Sequence, residues 1–239
     1  MACPHNPVTF QTDYVLHAQF ELHVLNTCVR NDFPPTYFST GIAEECVEFI
    51  DVLNKILKGT NSKAPTEVIS LVANSHEGKE DSIRALGVNQ SIYKLALSEA
   101  GDILWYLYAL SLSLPGGKWS SVAGPTLIKG LDFSFAEKCH CSSIDQKLDN
   151  LKDELCSNMG KLCGSVKKFS RGDQSWDKFQ KRIESEISTI IYHLQCILHL
   201  LQTYCNQDEL TVKCAMIHNI QKIQARKMNN TIKGDGEIR

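Results

Sequence analysis

"GIAEECVEFIDVLNKILKG" (residues 41–59) sets Glu44, Glu45, Glu48 and Asp51 among Ile42, Ala43, Cys46, Val47, Phe49 and Ile50. The apolar positions recur with helical period, so the stretch predicts an amphipathic helix. A core-facing helix asks for carbon, and the acids therefore need a reason. About fifty residues on, "LALSEAGDILWYLYALSL" (95–112) places Glu99 and Asp102 in an even more apolar setting, with Leu95, Leu97, Ile103, Leu104, Trp105, Leu107 and Tyr108 around them. Glu45 and Glu48 are three residues apart, as are Glu99 and Asp102. On a helix this spacing puts both side chains on one face, about 5–6 Å apart. Two such helices packed antiparallel would bring four carboxylates to one place. Like charges and burial make that costly without a counter-cation. A hard divalent ion such as Mg²⁺ suits carboxylate oxygen and keeps room for phosphate. The plain alternative is a solvated face for Glu44 and Glu48 and a lysine partner for Glu45.

Working outward, the helical period holds along nearly the whole chain, and no alternating strand of convincing length interrupts it. The expected class is all-α. Helices are expected over about 9–29, 40–57, 89–112, 143–169, 177–204 and 208–229. "RNDFPP" stops the first, and "LPGGKWSS" follows the third. Residues 60–86 read as a polar insertion with a short helix at 66–73, and the Gly-containing segment 115–142 as a linker. An internal repeat emerges: 43–59 lines up with 156–172, and 95–112 with 182–200. Glu99 falls on Glu186 and Asp102 on Thr189, while Glu44, Glu45 and Glu48 fall on Ser157, Asn158 and Lys161. The expected domains are 1–114 with the acids intact, the linker, and 143–239 with the acids eroded.

The 239 residues suffice for a real core, and 43% hydrophobic with 22% charged residues is ordinary for a soluble globular chain. The formal net charge of −2 gives no global field for nucleic acid or an acidic membrane. Neither a signal peptide nor a span of about 20 apolar residues is seen. Ten cysteines, mostly single within helical patterns, suggest buried free thiols in a reducing cytosol. Cys139-His140-Cys141 is too tightly spaced for the usual zinc pattern. His193 and His199 lie on an apolar stripe and are expected to be packed. Trp105 and Tyr108 are expected in the core, and Phe33, Tyr37 and Phe38 have the better claim to a base pocket.

"EECVE" followed by "EAGD" resembles the EExxE…ExxD signature of the MazG-like all-α nucleoside triphosphate pyrophosphohydrolases. The phrase "LSEAGDILWYLYAL" resembles that family's second metal helix. "NIQKIQARKMNNTIKGDGEIR" (219–239) resembles its closing segment, with Asn219, Lys222 and Arg226 in the N-x-x-K-[LI]-x-x-R spacing. The resemblance covers most of residues 8–112 and 143–239. The gap from Glu48 to Glu99 is longer than the family's, and the acids and the basic segment sit in different repeats. The resemblance implies hydrolysis of a nucleoside triphosphate to monophosphate and pyrophosphate. It also implies Mg²⁺, with Mn²⁺ as a substitute, on Glu45, Glu48, Glu99 and Asp102, and Glu44 aligning or deprotonating the attacking water. Asn219, Lys222, Arg226, Lys233 and Arg239 would bind substrate. The chain is expected to be a fused pseudo-dimer, alone or paired again, with one working site.

Three rivals stand beside this reading. A di-iron carboxylate bundle wants Glu-x-x-His, which neither acid pair supplies. An inactive helical interaction protein would carry the acids as relics. A dUTPase or dCTPase of the same superfamily would have a narrower substrate choice.

Overall fold

The computed structural model describes residues 7–28, 33–61, 79–114, 144–205 and 210–229. Six α-helices make up nearly all of it, with no strand among the described residues: α1 (Pro7–Thr27), α2 (Pro35–Asn61), α3 (Lys79–Ser113), α4 (Ile144–Ser170), α5 (Trp176–Cys205) and α6 (Val212–Met228). The all-α expectation holds. Linker 115–142, with Cys139-His140-Cys141, the expected short helix at 66–73, and the tail bearing Lys233 and Arg239 lie outside the described residues.

Two boundaries differ from the sequence expectation. Helix α2 begins at Pro35, five residues before the expected position 40, because proline at the first helical position loses no hydrogen bond and has its φ already set. Thr40 and Ser39 donate back to the Thr36 carbonyl, closing the first turn. Helix α3 begins at Lys79, ten residues ahead of the expected Asn89, so part of the expected 60–86 insertion is helical.

Contacts between named side chains fix the directions. Gly41 on α2 lies against Tyr106 on α3, while Glu45 and Glu48 lie against Glu99, so low numbers face high and the pair is antiparallel. Helices α4 and α5 do the same: Ser165 Oγ donates to Glu186, and His193 Nε2 meets Glu154 3.0 Å away. Their short connection carries Gly172 at φ 77°, the left-handed conformation that ends a helix, and Asp173 N donates back to the Lys168 carbonyl. The two hairpins join through α2 and α4, where Cys163 Sγ reaches the Ser39 carbonyl and Lys152 Nζ donates to Asn54. Helix α6 leaves its own hairpin and packs along α3. Its start is capped by Thr211, whose hydroxyl accepts from Cys214 N.

One continuous core runs through both hairpins, built from residues such as Phe20, Phe38, Phe49, Leu104, Leu148, Phe179 and Leu194. Helix α1 closes one side of it. Trp105 Nε1 donates to Thr27 Oγ1 at 2.9 Å, and Tyr108 OH meets His17 Nδ1 at 2.6 Å. Tyr108 is therefore a core residue, as expected, and Phe38 is buried with it. His193 is packed and bonded on both ring nitrogens. The thiols depart from expectation: Cys46 and Cys196 are buried, but Cys28, Cys163 and Cys214 are only partly so, and Cys156 is exposed. No described helix is long and apolar enough to cross a membrane.

Candidate active site

Helical spacing and the antiparallel α2–α3 pairing together bring Glu45, Glu48 and Glu99 to one point. Each offers an oxygen within 4.8 Å of the others. They stand in a cleft of about 640 Å³. Glu44 and the exposed edge of Glu48 face its mouth, and Ser98 and Asp102 line its α3 side. Lys222 and Arg226 of α6 also line it, and Tyr37, Tyr106 and Trp105 border it with rings.

Three acids in one hollow repel each other. Burial raises the Glu45 carboxyl from 4.5 to about 8, and the charges of Asp102, Glu99 and Glu48 add to the effect, with Lys222 opposing it. Burial raises Glu99 too, and the charge of Asp102 reinforces that shift. The charge of Lys222 and a hydrogen bond from the neighbouring Glu45 oppose the rise at Glu99. The donor set is all oxygen and anionic, which fits a hard divalent cation such as Mg²⁺.

Asp102, the fourth acid expected in this set, is not among the three that converge. One of its oxygens accepts from Asn219 Nδ2 at 2.6 Å, and the other is bound by Lys222 Nζ. Lys222 also donates to Ser98 Oγ at 3.0 Å. The reason lies in the backbone. A Cβ on Gly101 would stand 2.6 Å from the Ala215 carbonyl oxygen and 2.9 Å from Asn219 Cβ, so glycine lets α6 approach α3 closely here. That approach brings Asn219 and Lys222, one helical turn apart, onto Asp102. Of the expected substrate-binding residues, Asn219, Lys222 and Arg226 thus lie at or beside the acids.

The aromatic border was only partly anticipated. Tyr37 lines the cleft with Phe33 stacked behind it, ring centroids 4.2 Å apart. Tyr106, not singled out by sequence, hydrogen-bonds Tyr37; burial and the neighbouring Tyr37 and Glu45 push its phenol well up. Its ring lies where a Cβ of residue 41 would be, within 2.4 Å, so Gly41 makes its room. Trp105 is mostly core, as expected, yet borders the cleft. A signal for Tyr106 existed in hindsight: it follows Asp102 by four residues and so shares its helix face.

The aligned positions of the second hairpin hold no acid cluster. Lys161, the counterpart of Glu48, lies near Glu186, the counterpart of Glu99. Glu186 is buried, accepts from Ser165 Oγ at 2.9 Å and pairs with Arg182 at 3.3 Å. Lys161 donates to Asn158, the counterpart of Glu45. Burial raises the carboxyl of this one remaining acid, and Ser165, Arg182 and Lys161 oppose the rise.

Compared with models of protein families, with curated proteins and with solved structures, the chain matches none.

Proposed function

We propose that this chain is a Mg²⁺-dependent nucleoside triphosphate pyrophosphohydrolase, cleaving (d)NTP to (d)NMP and pyrophosphate. The observation that carries the proposal is the convergence of Glu45, Glu48 and Glu99 within 4.8 Å in a cleft that also holds Lys222 and Arg226. Carboxylates, cations and rings in one hollow match the three parts of a nucleotide: its metal, its phosphates and its base. The resemblance of "EECVE", "EAGD" and "NIQKIQAR" to the MazG-like signature supports the same reading.

Glu45, Glu48 and Glu99 would hold Mg²⁺, with Mn²⁺ as a substitute. Bound there, the ion supplies charge neutralisation at phosphoryl oxygens and orientation of an attacking water. Glu44, exposed on the same helix at the cleft, would align that water and accept its proton. Lys222 would exchange Asp102 for a phosphate oxygen, leaving Asp102 to join the metal carboxylates. Together with Arg226 it would neutralise charge on the departing pyrophosphate. Tyr37 and Tyr106 would flank the base. Lys233 and Arg239 remain part of the proposal as closing cations.

The pseudo-dimer belongs to this proposal. Its support is the register: Glu48 faces Glu99 in one hairpin as Lys161 faces Glu186 in the other. The α2–α4 contact joins the aligned helices of the two copies. On this reading repeat one holds metal and repeat two lends α6 to the phosphates. The free thiols among the described residues suit a reducing cytosol.

Phosphorus NMR of the products tests the reaction. Monophosphate and pyrophosphate in equal amounts are expected. Orthophosphate with diphosphate as the products would mean attack at a different phosphorus and refute the assignment.

A further inference from the structure

Asn219 reaches Asp102 through its side-chain amide, which a half-turn about its last torsion can present in two ways. One way aims Nδ2 at Asp102, as the 2.6 Å contact shows. The other would aim Oδ1, placing two acceptors face to face. Asn219 is wholly buried, so water cannot make up for a wrong orientation. Something on the far side of the amide must select between them.

That something is on α1. His23 is buried to nine-tenths, and its side chain neighbours that of Asn219. His23 Nε2 and Asn219 Oδ1 are both buried atoms that lack a hydrogen-bond partner. Each supplies what the other lacks: a ring N–H donates and an amide oxygen accepts. Burial holds the imidazole neutral by lowering its affinity for a proton, and a neutral ring has one N–H, which Nε2 can carry.

We propose that His23 is a positioning residue: through Asn219 it fixes the carboxylate of Asp102, and so ties α1 to the phosphate side of the cleft. The proposal rests on the reading of Asp102 as part of the working site. It assigns a function to a histidine that no motif marks and that touches neither metal nor substrate. The chain is then three side chains long, one each from α1, α6 and α3.

The full-length chain with His23→Leu and with His23→Gln tests this. A glutamine amide places its N–H₂ near the position of Nε2, so it can donate to Asn219, whereas leucine cannot. Loss of one buried hydrogen bond that orients the site lowers kcat/KM for pyrophosphate release about tenfold in His23→Leu. His23→Gln recovers most of it. A second readout needs no turnover: hydrogen exchange of the Asn219 side-chain amide by NMR, assigned by its loss in Asn219→Ser. Its protons are slow to exchange in the wild type and faster in His23→Leu, with His23→Gln resembling the wild type. Unchanged exchange in His23→Leu, or equal impairment by leucine and glutamine, overturns the proposal. If leucine does not fold, a fast-exchanging Asn219 amide in the wild type, or in His23→Gln, overturns it by itself. A wild type that releases no pyrophosphate refutes the functional reading, while the amide readout still decides the role of His23.

Discussion

Glu45 is the residue where the electrostatics of the cleft can be read most directly. Its folded value of about 8 lies far above the 4.5 of an unfolded chain. Between those pH values the native state holds a proton that the unfolded state has lost, so stability falls as pH rises through this window. Thermal melts of metal-free protein should show Tm dropping from pH 5 to pH 8. Glu45→Gln should flatten that slope, and Mg²⁺ should remove it by taking the proton's place. Glu48→Gln should fold and lose about 100-fold or more in turnover, the scale of one ligand to a catalytic ion. The acids themselves were legible in the sequence because three-residue spacing on a helix permits only one face. The attachment of Asp102 to Lys222 and Asn219 was not. It depends on how α6 slides along α3, which is fixed by packing between segments more than a hundred residues apart.

At the scale of the helix, the glycines divide sharply. Gly101 has the Ala215 carbonyl where its Cβ would go, whereas Gly164 on α4 has nothing within 4 Å. Gly101→Ala should cost about 1–3 kcal/mol by overpacking and push α6 off Asp102. Gly164→Ala should gain about 0.5–1 kcal/mol by limiting the unfolded chain and favouring helix. Urea denaturation of the two variants checks both signs, and only Gly101→Ala should also lose turnover. Helix existence was plain from periodicity, and helix ends were not. "FPPTYFSTG" looks like a loop by composition, yet Pro35 begins α2 because the first turn of a helix needs no N–H there. The early start of α3 at Lys79 lies in a polar stretch where periodicity gives no signal.

Across the molecule, the two hairpins share a core and divide the charge. One gathers three carboxylates; the other sets Lys161, Arg182 and Ser165 around Glu186. The chain should therefore bind Mn²⁺ in a single set of sites at the first hairpin. Titration followed by electron spin resonance should lose that binding in Glu48→Gln and keep it in Glu186→Gln. The likeness between the two hairpins could be seen in sequence, since Glu186 and Glu99 sit at matching positions in matching apolar patterns. That α6 would cross to the first hairpin could not, because nothing local in "NIQKIQAR" says which helix it will cover. The central claim is metal-dependent hydrolysis, and it is tested most directly by pyrophosphate release from a panel of canonical and modified nucleotides, with Mg²⁺ and with EDTA. Release from at least one nucleotide, abolished by EDTA, is the predicted result. Silence across the panel from a folded helical sample would contradict the account and leave the three carboxylates without a catalytic purpose.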